Sequence, residues 1–370
     1  GRNLGVLVAG IKGSAEYNHW RTDSLSEQSF SYNQWSVYLR SPDTLTNRYH
    51  VSYQLRDDKM PQNGRLEQIT RGQDMNIGME IHSLKNNKLK ANITYRQLEV
   101  RDTSLIDDRP EDNLVGRIEH QARIINKLIR TRTHYEVGAG LEPRKEFTYI
   151  KVAGGQGTYT WEDYNNNDVK ELNEFEKAHF SDQANYLRIY RPSGEYFKTH
   201  TNEFNQVVNL DPSNVLQDTS FLSQLAGRFS NQLAFRIRRK NQSDRFWKNL
   251  NPFAYSVDHP DVLSQSSNLR NTLSFNKNSL TYQVDYIYLK SQSKQLLMNG
   301  TQLMQERQHA LHLTWNFNRA VTMLNKARVG VEHHQSDYFQ NRNYRIHALE
   351  ESFELRYRPS PTLRFEMDYA

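Results

Sequence analysis

Apolar and polar residues alternate with a period of two in one segment of this chain after another. Residues 33–39 and 49–55 carry apolar side chains at every second position, and the pattern recurs as far as residue 369. A period of two places successive side chains on opposite faces of a β-strand. The sequence therefore predicts an all-β chain, a large antiparallel meander whose strands have one apolar and one polar face.

The composition fits strands with one wet face better than it fits a disordered chain. Hydrophobic residues make up only 36% of the sequence, but 21 Tyr and 16 Phe are present. Disordered segments are poor in aromatic residues. A chain of 370 residues is also longer than most single hydrophobic cores, unless its architecture is one large barrel or a repeat.

Charge and cysteine content exclude several classes of site. The chain has no cysteine, so it has no disulfide, thiolate metal site or cysteine nucleophile. Its 48 basic and 42 acidic residues are interleaved, and this pattern predicts no nucleic-acid partner. The chain does not begin with Met and has strand-like sequence at both ends, so we expect a piece of a longer mature protein.

The segment 114–137 predicts one hairpin in detail. A two-residue turn at Asn126 and Lys127 would place Ile124 opposite Ile129 on the apolar face. The other face would pair Arg117 with Glu136, Glu119 with His134, Gln121 with Arg132, and Arg123 with Arg130.

Strand length points to a membrane. Each strand of this hairpin has about ten residues, near the roughly nine to eleven of a membrane strand. No apolar run reaches the roughly 18 residues of a membrane helix, so a chain that crosses a bilayer must do so as a closed barrel. We therefore expect part of a β-barrel in the bacterial outer membrane. Its partners would be outer-membrane lipid and possible other envelope proteins.

The stretch from residue 163 to residue 174 has the ligand spacing of an EF-hand calcium loop. Such a loop provides oxygen ligands at positions 1, 3, 5, 7, 9 and 12, the seventh from a backbone carbonyl. With few carboxylates, the predicted structural calcium site would bind weakly, at roughly 10⁻⁴ M or above. The predicted ligands are Asp163, Asn165, Asn167, the Val169 carbonyl, Glu171 and Glu174.

Two positions depart from the EF-hand pattern. Asp168 replaces the usual glycine at position six, and Lys170 replaces an apolar residue at position eight. The residues before the loop, 157–161, suit a strand, and the spacing of Leu172, Phe175 and His179 after it predicts a short helix. The alternative is an Asn-rich surface turn with no metal.

The pattern divides the chain into three parts. Residues 1–140 and 201–370 are predicted as antiparallel barrel strands, and residues 141–200 as an insertion that carries the calcium loop. Within the first part, the alternation shifts by one residue before Leu98 and Val100. This shift predicts a β-bulge.

Six stretches of the chain carry a resemblance by their sequence and their order. They are EPRKEFTYIKV (142–152), GQGTYTWEDYNNNDVKELNEFE (155–176), DQANYLRIY (182–190), NPF (251–253), LRNTLSFN (269–276) and LLMNGTQ (296–302). They resemble a block found in long, functionally unassigned cell-envelope proteins of Bacteroidota. The resemblance covers most of residues 114–320 and implies an outer-membrane β-barrel protein, of which this chain would be a portion. It brings no biochemical activity with it, and members of the family usually have glycine near position 168 and an apolar residue at 170.

No sequence motif predicts an enzyme. The chain has no GxSxG, P-loop, HExxH or GxGxxG motif in the structural context that each requires. The alternation of strand residues places His309 and His312 on opposite faces, so they would not bind one metal ion together. We therefore expect no catalytic residue and no organic cofactor. The expected function is an outer-membrane barrel for transport, surface display or envelope assembly. The alternatives are a soluble secreted or periplasmic calcium-binding module and, less favoured, a β-rich hydrolase.

Overall fold

The computed structural model describes residues 2–3, 7–20, 25–82, 85–101, 111–216, 220–242, 246–277, 279–297, 300–337 and 343–369. The chain forms two compact units. The first comprises residues 1–139 and 202–215, and the second comprises residues 140–201 and 216–370. Strands dominate both units, and consecutive strands pair antiparallel. The predicted all-β antiparallel meander is confirmed.

The first unit is a meander in which each strand from β2 to β8 pairs with the next along the chain. Strands β8 and β11 contribute residues to both units. The strands are β1 (Arg2–Asn3), β2 (Val8–Asn18), β3 (Phe30–Arg40), β4 (Arg48–Gln62), β5 (Arg65–Ile81), β6 (Asn87–Val100), β7 (Glu111–Ile124), β8 (Ile129–Lys151) and β11 (Tyr186–Leu210).

The β7–β8 hairpin has the predicted register. Ile124 lies opposite Ile129, and Arg117 lies opposite Glu136. At the turn, Asn126 has a φ of 49° and Lys127 a φ of 72°, and Ile125 before them also has a positive φ, of 48°. Positive φ at both central residues is the geometry of a type I′ turn, whose twist matches that of the flanking strands. The turn and the alternation therefore set the same register.

The predicted bulge before Leu98 is wrong. The β5–β6 ladder runs without a shift from Thr70 opposite Val100 to Ile81 opposite Leu89. Leu98 and Val100 therefore lie on the polar face, next to the connection that follows β6. A register shift does occur in this unit, but it lies between β4 and β5, at Asp58 and Lys59.

The second unit contains a meander of seven strands, β12 to β18, within the residues that the structure describes. Its short helices are α1 (Phe221–Gly227) and α2 (Phe246–Leu250). The other strands of this unit are β9 (Tyr159–Trp161), β10 (Phe175–Lys177), β12 (Phe229–Asn241), β13 (Val262–Phe275), β14 (Tyr282–Leu297), β15 (Gly300–Asn316), β16 (Val321–Ser336), β17 (Tyr344–Ser360) and β18 (Leu363–Tyr369).

Strands occupy both ends of the segment predicted as an insertion, 141–200. Strand β8 continues to Lys151 and β11 begins at Tyr186, so the segment between these two long strands is 152–185, and it contains the short strands β9 and β10. Strand β9 confirms the predicted strand before the calcium loop. The predicted helix after the loop is reduced to one 3₁₀ turn, Leu172–Glu174, because Phe175 begins β10 and pairs with Trp161 of β9.

Candidate functional site

An aromatic cluster holds the two ends of the candidate calcium loop. Tyr159, Phe175 and Tyr186 are buried together, with Tyr149 and Trp161 packed against them. The rings of Tyr149 and Phe175 stack with their centroids 4.1 Å apart, and Phe175 meets Tyr186 edge-on at 4.9 Å. Aromatic packing of this kind is favourable beyond the burial of area. The residues that flank the loop on both sides are therefore held in place by this cluster.

The first half of the loop is folded around its own side-chain oxygens. Asp163 accepts hydrogen bonds from the backbone N–H groups of Asn167 and Asp168, at 3.2 and 2.8 Å. Asn165 Oδ1 accepts from the Asn167 N–H at 3.1 Å, and Asn167 Oδ1 accepts from the Val169 N–H at 2.7 Å. Three of the predicted ligands thus turn inward on the same short stretch of backbone.

Asp168 adopts the conformation that the glycine of an EF-hand loop adopts. Its φ is 59°, in the left-handed region that favours glycine but that Asp and Asn tolerate best among other residues. Lys170 extends over the rings of Trp161 and Tyr186, with Nζ 5.4 and 5.8 Å from their centroids. The loop therefore accommodates both departures from the EF-hand pattern, Asp168 through its left-handed backbone and Lys170 through its contacts with the two rings.

Glu174 is the most buried of the predicted ligands, with only 1% of its surface exposed. Its Oε2 accepts hydrogen bonds from Trp161 Nε1 at 2.9 Å and from the Glu171 N–H at 3.2 Å. Its Oε1 is also buried but has no hydrogen-bond partner. A buried carboxylate oxygen without a partner is costly, which makes this atom the clearest sign of an absent ligand.

The structure does not bring the predicted ligands into a complete metal cluster. Asn165 Nδ2 lies 3.3 Å from Glu171 Oε2, so these two positions are in contact. Within the described part of the chain, however, no three Asp, Glu or His side chains gather around a common point that would hold a metal ion. Asp163, Glu171 and Glu174 are therefore close to one another in sequence, but their carboxylates do not surround a common point.

Both units expose apolar side chains on one face of their strands. In an antiparallel sheet, residues directly opposite each other share a face. In the first unit, Trp35 pairs with Leu55, and Val51 pairs with Ile77, which pairs with Ile93. The exposed members of this face are Trp35, Val37, Leu39, Val51, Tyr53, Met75, Ile77, Ile93 and Tyr95.

The second unit has a similar apolar face on β14 to β18. Trp315 pairs with Met323, which pairs with Leu355, which pairs with Met367. Several large side chains of this face are between 41% and 57% exposed, far more than apolar side chains in a soluble core. They are Leu311, Trp315, Val329, Tyr357, Phe365 and Met367.

The opposite face of the first unit is wet and charged. Arg56 forms an ion pair with Asp58 at 2.8 Å, and Lys90 forms one with Glu80 at 2.9 Å. Further along the same face, Arg117 pairs with Glu136 at 2.8 Å. A sheet with one exposed apolar face and one charged face matches the two environments of a water-filled membrane barrel.

The histidines do not form a metal or catalytic group in the described residues. His309 pairs with Val329 on the apolar face, whereas His312 pairs with Lys326 on the polar face. His333 and His334 are adjacent in β16 and point to opposite faces for the same reason.

No helix among the described residues is long and apolar enough to cross a membrane.

Two features of functional interest escaped the sequence analysis. One is Trp161, whose indole N–H binds Glu174. The other is a group of cations, Lys290, Arg307 and Arg345, which the sheet brings onto one surface from three separate strands. Neither could be found from spacing, since both depend on strand pairing between distant segments.

No family model matches the chain, and no curated protein matches it in sequence. Among solved structures, it is similar to the ferric enterobactin receptor PfeA in complex with BCV-L6, with 8% identity over 95% of this chain and 52% of that chain and a TM-score of 0.33. It is also similar to the siderophore receptor PiuA from Acinetobacter baumannii, with 6% identity over 99% of this chain and 73% of that chain and a TM-score of 0.29.

A mutant of PfeA from Pseudomonas aeruginosa in complex with enterobactin gives 9% identity over 97% of this chain and 75% of that chain, with a TM-score of 0.24. The chain spans about half the length of the first of these receptors. Likeness at these TM-scores carries no argument about the function of this chain.

Proposed function

We propose that this chain is part of a β-barrel in the bacterial outer membrane. It would serve transport, surface display or envelope assembly, and it would have no enzymatic activity. The observation that carries the proposal is the large exposed face on β14 to β18, which is mostly apolar and is interrupted by His309, Asn325 and Glu351. Exposed apolar area costs about 25 cal/mol per Å² in water, and soluble monomers rarely expose more than a few hundred Å² in one patch.

The height of the apolar face supports a membrane. In the second unit, apolar side chains occur in five successive rows of paired residues, from Val321 and Tyr357 to Val329 and Leu349. The third and fourth rows also contain Asn325 and Glu351, which are joined by a hydrogen bond of 3.3 Å. At about 6.8 Å for every two residues, five rows span about 27 Å along the strands, and the usual tilt of membrane strands reduces this to about 20 Å in height. Apolar belts of outer-membrane barrels are about 25 Å tall.

The proposal is tested by fractionating cells that produce the full-length protein. We expect it in the outer-membrane pellet, resistant to extraction by alkaline carbonate and soluble only after detergent is added. Recovery of the full-length protein in the soluble periplasmic or secreted fraction would contradict the proposal. That result would favour the soluble calcium-binding module instead.

We further propose that the loop binds one structural calcium ion. Asp163, Asn165, Asn167, Glu171 and Glu174 would provide side-chain oxygens, and Val169 its carbonyl. The support is the inward turn of the first three side chains, the left-handed conformation of Asp168 and the unpartnered Oε1 of Glu174. Calcium would have to draw the three carboxylates together, which is what an ion with six to eight oxygen ligands does.

Limited proteolysis of the full-length protein in detergent tests the calcium site. With calcium present, we expect cleavage within 154–180 to be slower than with a chelator, because the ion would order the loop. Magnesium at the same concentration is the control, since it demands a tighter octahedral geometry. Equal cleavage with calcium and with chelator would leave the loop as an Asn-rich turn.

A further inference from the structure

Three cations lie beyond one end of the apolar face of the second unit. Lys290 of β14 is directly opposite Arg307 of β15, and Arg307 is opposite Val331 of β16. One row further along, His333 of β16 is opposite Arg345 of β17. Since paired residues share a face, all of these side chains belong to the same surface as Leu311 and Trp315. They line a shallow cavity of about 350 Å³.

These cations have no carboxylate to neutralise them. Within the described residues, Lys290, Arg307 and Arg345 take part in no ion pair, and Arg307 and Arg345 are exposed. Two cations directly opposite each other on neighbouring strands repel, so the Lys290–Arg307 pair destabilises the sheet unless an anion binds. The nearest acids in the same strands, Glu306 and Glu332, alternate onto the opposite face; Glu306 reaches the edge of the cavity but forms no ion pair with these cations.

The first unit provides an internal contrast. Beyond its own apolar face, Arg71 lies opposite Asp57, and its guanidinium donates two hydrogen bonds to the Asp57 carboxylate, at 2.7 and 3.1 Å. In the first unit, therefore, the cation at the edge of the apolar face is neutralised by a carboxylate of the protein. In the second unit, the cations at the corresponding edge are available to bind an anionic ligand.

The position of the cations relative to the belt indicates the kind of ligand. The row next to them holds Tyr288 and His309, and the one before it holds Tyr286 and Leu311. Aromatic side chains at this level are typical of the boundary between the hydrocarbon and the headgroups. The cations thus start about one row, or about 7 Å, beyond that boundary, where lipid phosphates lie.

His347 of β17 lies opposite Val331 and so belongs to the same surface. We propose that this surface, defined by Lys290, Arg307, Arg345, His333 and His347, binds the phosphate of an outer-membrane lipid headgroup. The inference rests on the proposed membrane function. Guanidinium groups bind phosphate through paired, charge-assisted hydrogen bonds, and lysine adds a point charge. Arg307 and Arg345 are separated by two strand spacings across the sheet and one row along it, about 12 Å in all, a span that suits a headgroup with more than one anionic group.

The leaflet follows from the connections. At the end that carries the cations, the connections 242–261 and 337–343 have 20 and 7 residues, and 298–299 has two. At the other end, the connections 276–281, 317–320 and 361–362 have six, four and two residues. Outer-membrane barrels keep short turns on the periplasmic side and long loops outside. The ligand would therefore be a phosphorylated lipid of the outer leaflet.

The test uses the full-length protein purified in detergent and three probes: a bisphosphorylated outer-membrane glycolipid, the same lipid after enzymatic dephosphorylation, and inorganic pyrophosphate. Bound lipid is counted by native mass spectrometry over a titration. We expect the wild type to bind the phosphorylated lipid at least about tenfold more tightly than the dephosphorylated lipid. Equal binding of the two lipids would overturn the proposal, as would binding of pyrophosphate as tight as that of the phosphorylated lipid.

A pair of variants assigns the binding to this surface. The double variant Lys290→Gln with Arg307→Gln should lose about tenfold or more in affinity for the phosphorylated lipid. The control, Lys326→Gln with Arg328→Gln, removes the same charges from the polar face of β16 and should bind as the wild type does. If the double variant does not fold, Arg345→Gln alone should give a smaller loss. A folded variant with unchanged lipid binding would overturn the inference.

The outcomes separate this inference from the proposed function. A protein that fractionates with the outer membrane but binds lipid without regard to phosphate refutes only the headgroup site. A full-length protein that is soluble without detergent refutes the membrane function itself, and the headgroup site with it.

Discussion

Trp161 donates its indole N–H to Oε2 of Glu174 across a distance of 2.9 Å, and this bond joins the two ends of the candidate calcium loop. The two residues stand just before the first and at the last ligand position of the loop. Trp161 also pairs with Phe175 in the β9–β10 ladder. The β9–β10 strand pair therefore sets the orientation of the buried Glu174 carboxylate, and its Oε1 is left without a hydrogen-bond partner.

Replacing Glu174 with Gln should remove most of the protection that calcium gives to residues 154–180. A bidentate glutamate supplies two of the oxygen ligands, and an amide supplies at most one. The measurement is the rate of limited proteolysis with calcium and with chelator. Glu176→Gln, two residues later in β10 and outside the loop, should keep the wild-type difference. Asp168→Gly should keep or increase it, because φ at this position is 59°.

Replacing Trp161 with Phe should weaken the loop even without calcium. The aromatic ring stays, but Oε2 of the buried Glu174 loses one of its two donors and keeps only the Glu171 N–H. One such hydrogen bond contributes about 0.5–1.5 kcal/mol net, and about 1.5–3 kcal/mol when the acceptor is charged. Hydrogen exchange of residues 159–177 measures the effect as faster exchange of the β9–β10 amides. Unchanged exchange in the Phe variant would show that the indole N–H does not hold the carboxylate.

Gly157→Ala should disrupt the start of the same segment. A Cβ at this position would lie 2.6 Å from the Tyr186 backbone nitrogen and 2.7 Å from the Ala184 carbonyl oxygen. Backbone atoms cannot move aside as a flexible side chain can, so the strand and the chain beside it must separate. Gly140→Ala is the matched control, because no atom lies within 4 Å of its Cβ position. We expect faster proteolysis within 153–186 for the first variant only.

Leu313→Arg should hinder membrane insertion, whereas Thr314→Arg should be tolerated. Leu313 lies on the apolar face opposite Val284, and Thr314 lies on the polar face opposite Gln283. An arginine on the lipid face costs about 2–4 kcal/mol near the midplane of the bilayer. The measurement is the amount of full-length protein in the outer-membrane fraction. Equal amounts of the two variants would contradict the assignment of the faces.

The features that depend on short stretches of sequence could be predicted. The register of Ile124 with Ile129 follows from a period of two and from two residues that accept positive φ at the turn. Strand β9 follows from its aromatic and β-branched residues. These signals are local, so no knowledge of distant partners is needed.

The features that depend on distant pairing could not be predicted. The spacing of Leu172, Phe175 and His179 is helical, but Phe175 gains more by pairing with Trp161 and stacking on Tyr149 than a short helix would provide. Leu98 and Val100 looked like a phase shift because apolar residues can also face the wet side near the end of a strand.

The cations of the headgroup surface show the same limit. Lys290, Arg307 and Arg345 come from three strands, and in each strand the cation looks like an ordinary polar residue. Only the ladders place them together. The sequence shows which residues are charged, but only the pairing of the strands shows which of them lie close together.

The unbroken ladder between β14 and β15, from Tyr282 opposite Trp315 to Leu297 opposite Gly300, limits how these strands can change in length. Inserting one residue in the middle of β15 would turn every side chain beyond it to the other face, so that His312 would meet lipid and Leu313 would meet water. Inserting two residues would keep both faces. Relatives of this chain should therefore differ in these strands by even numbers of residues, whereas the connection 242–261 can vary by any number.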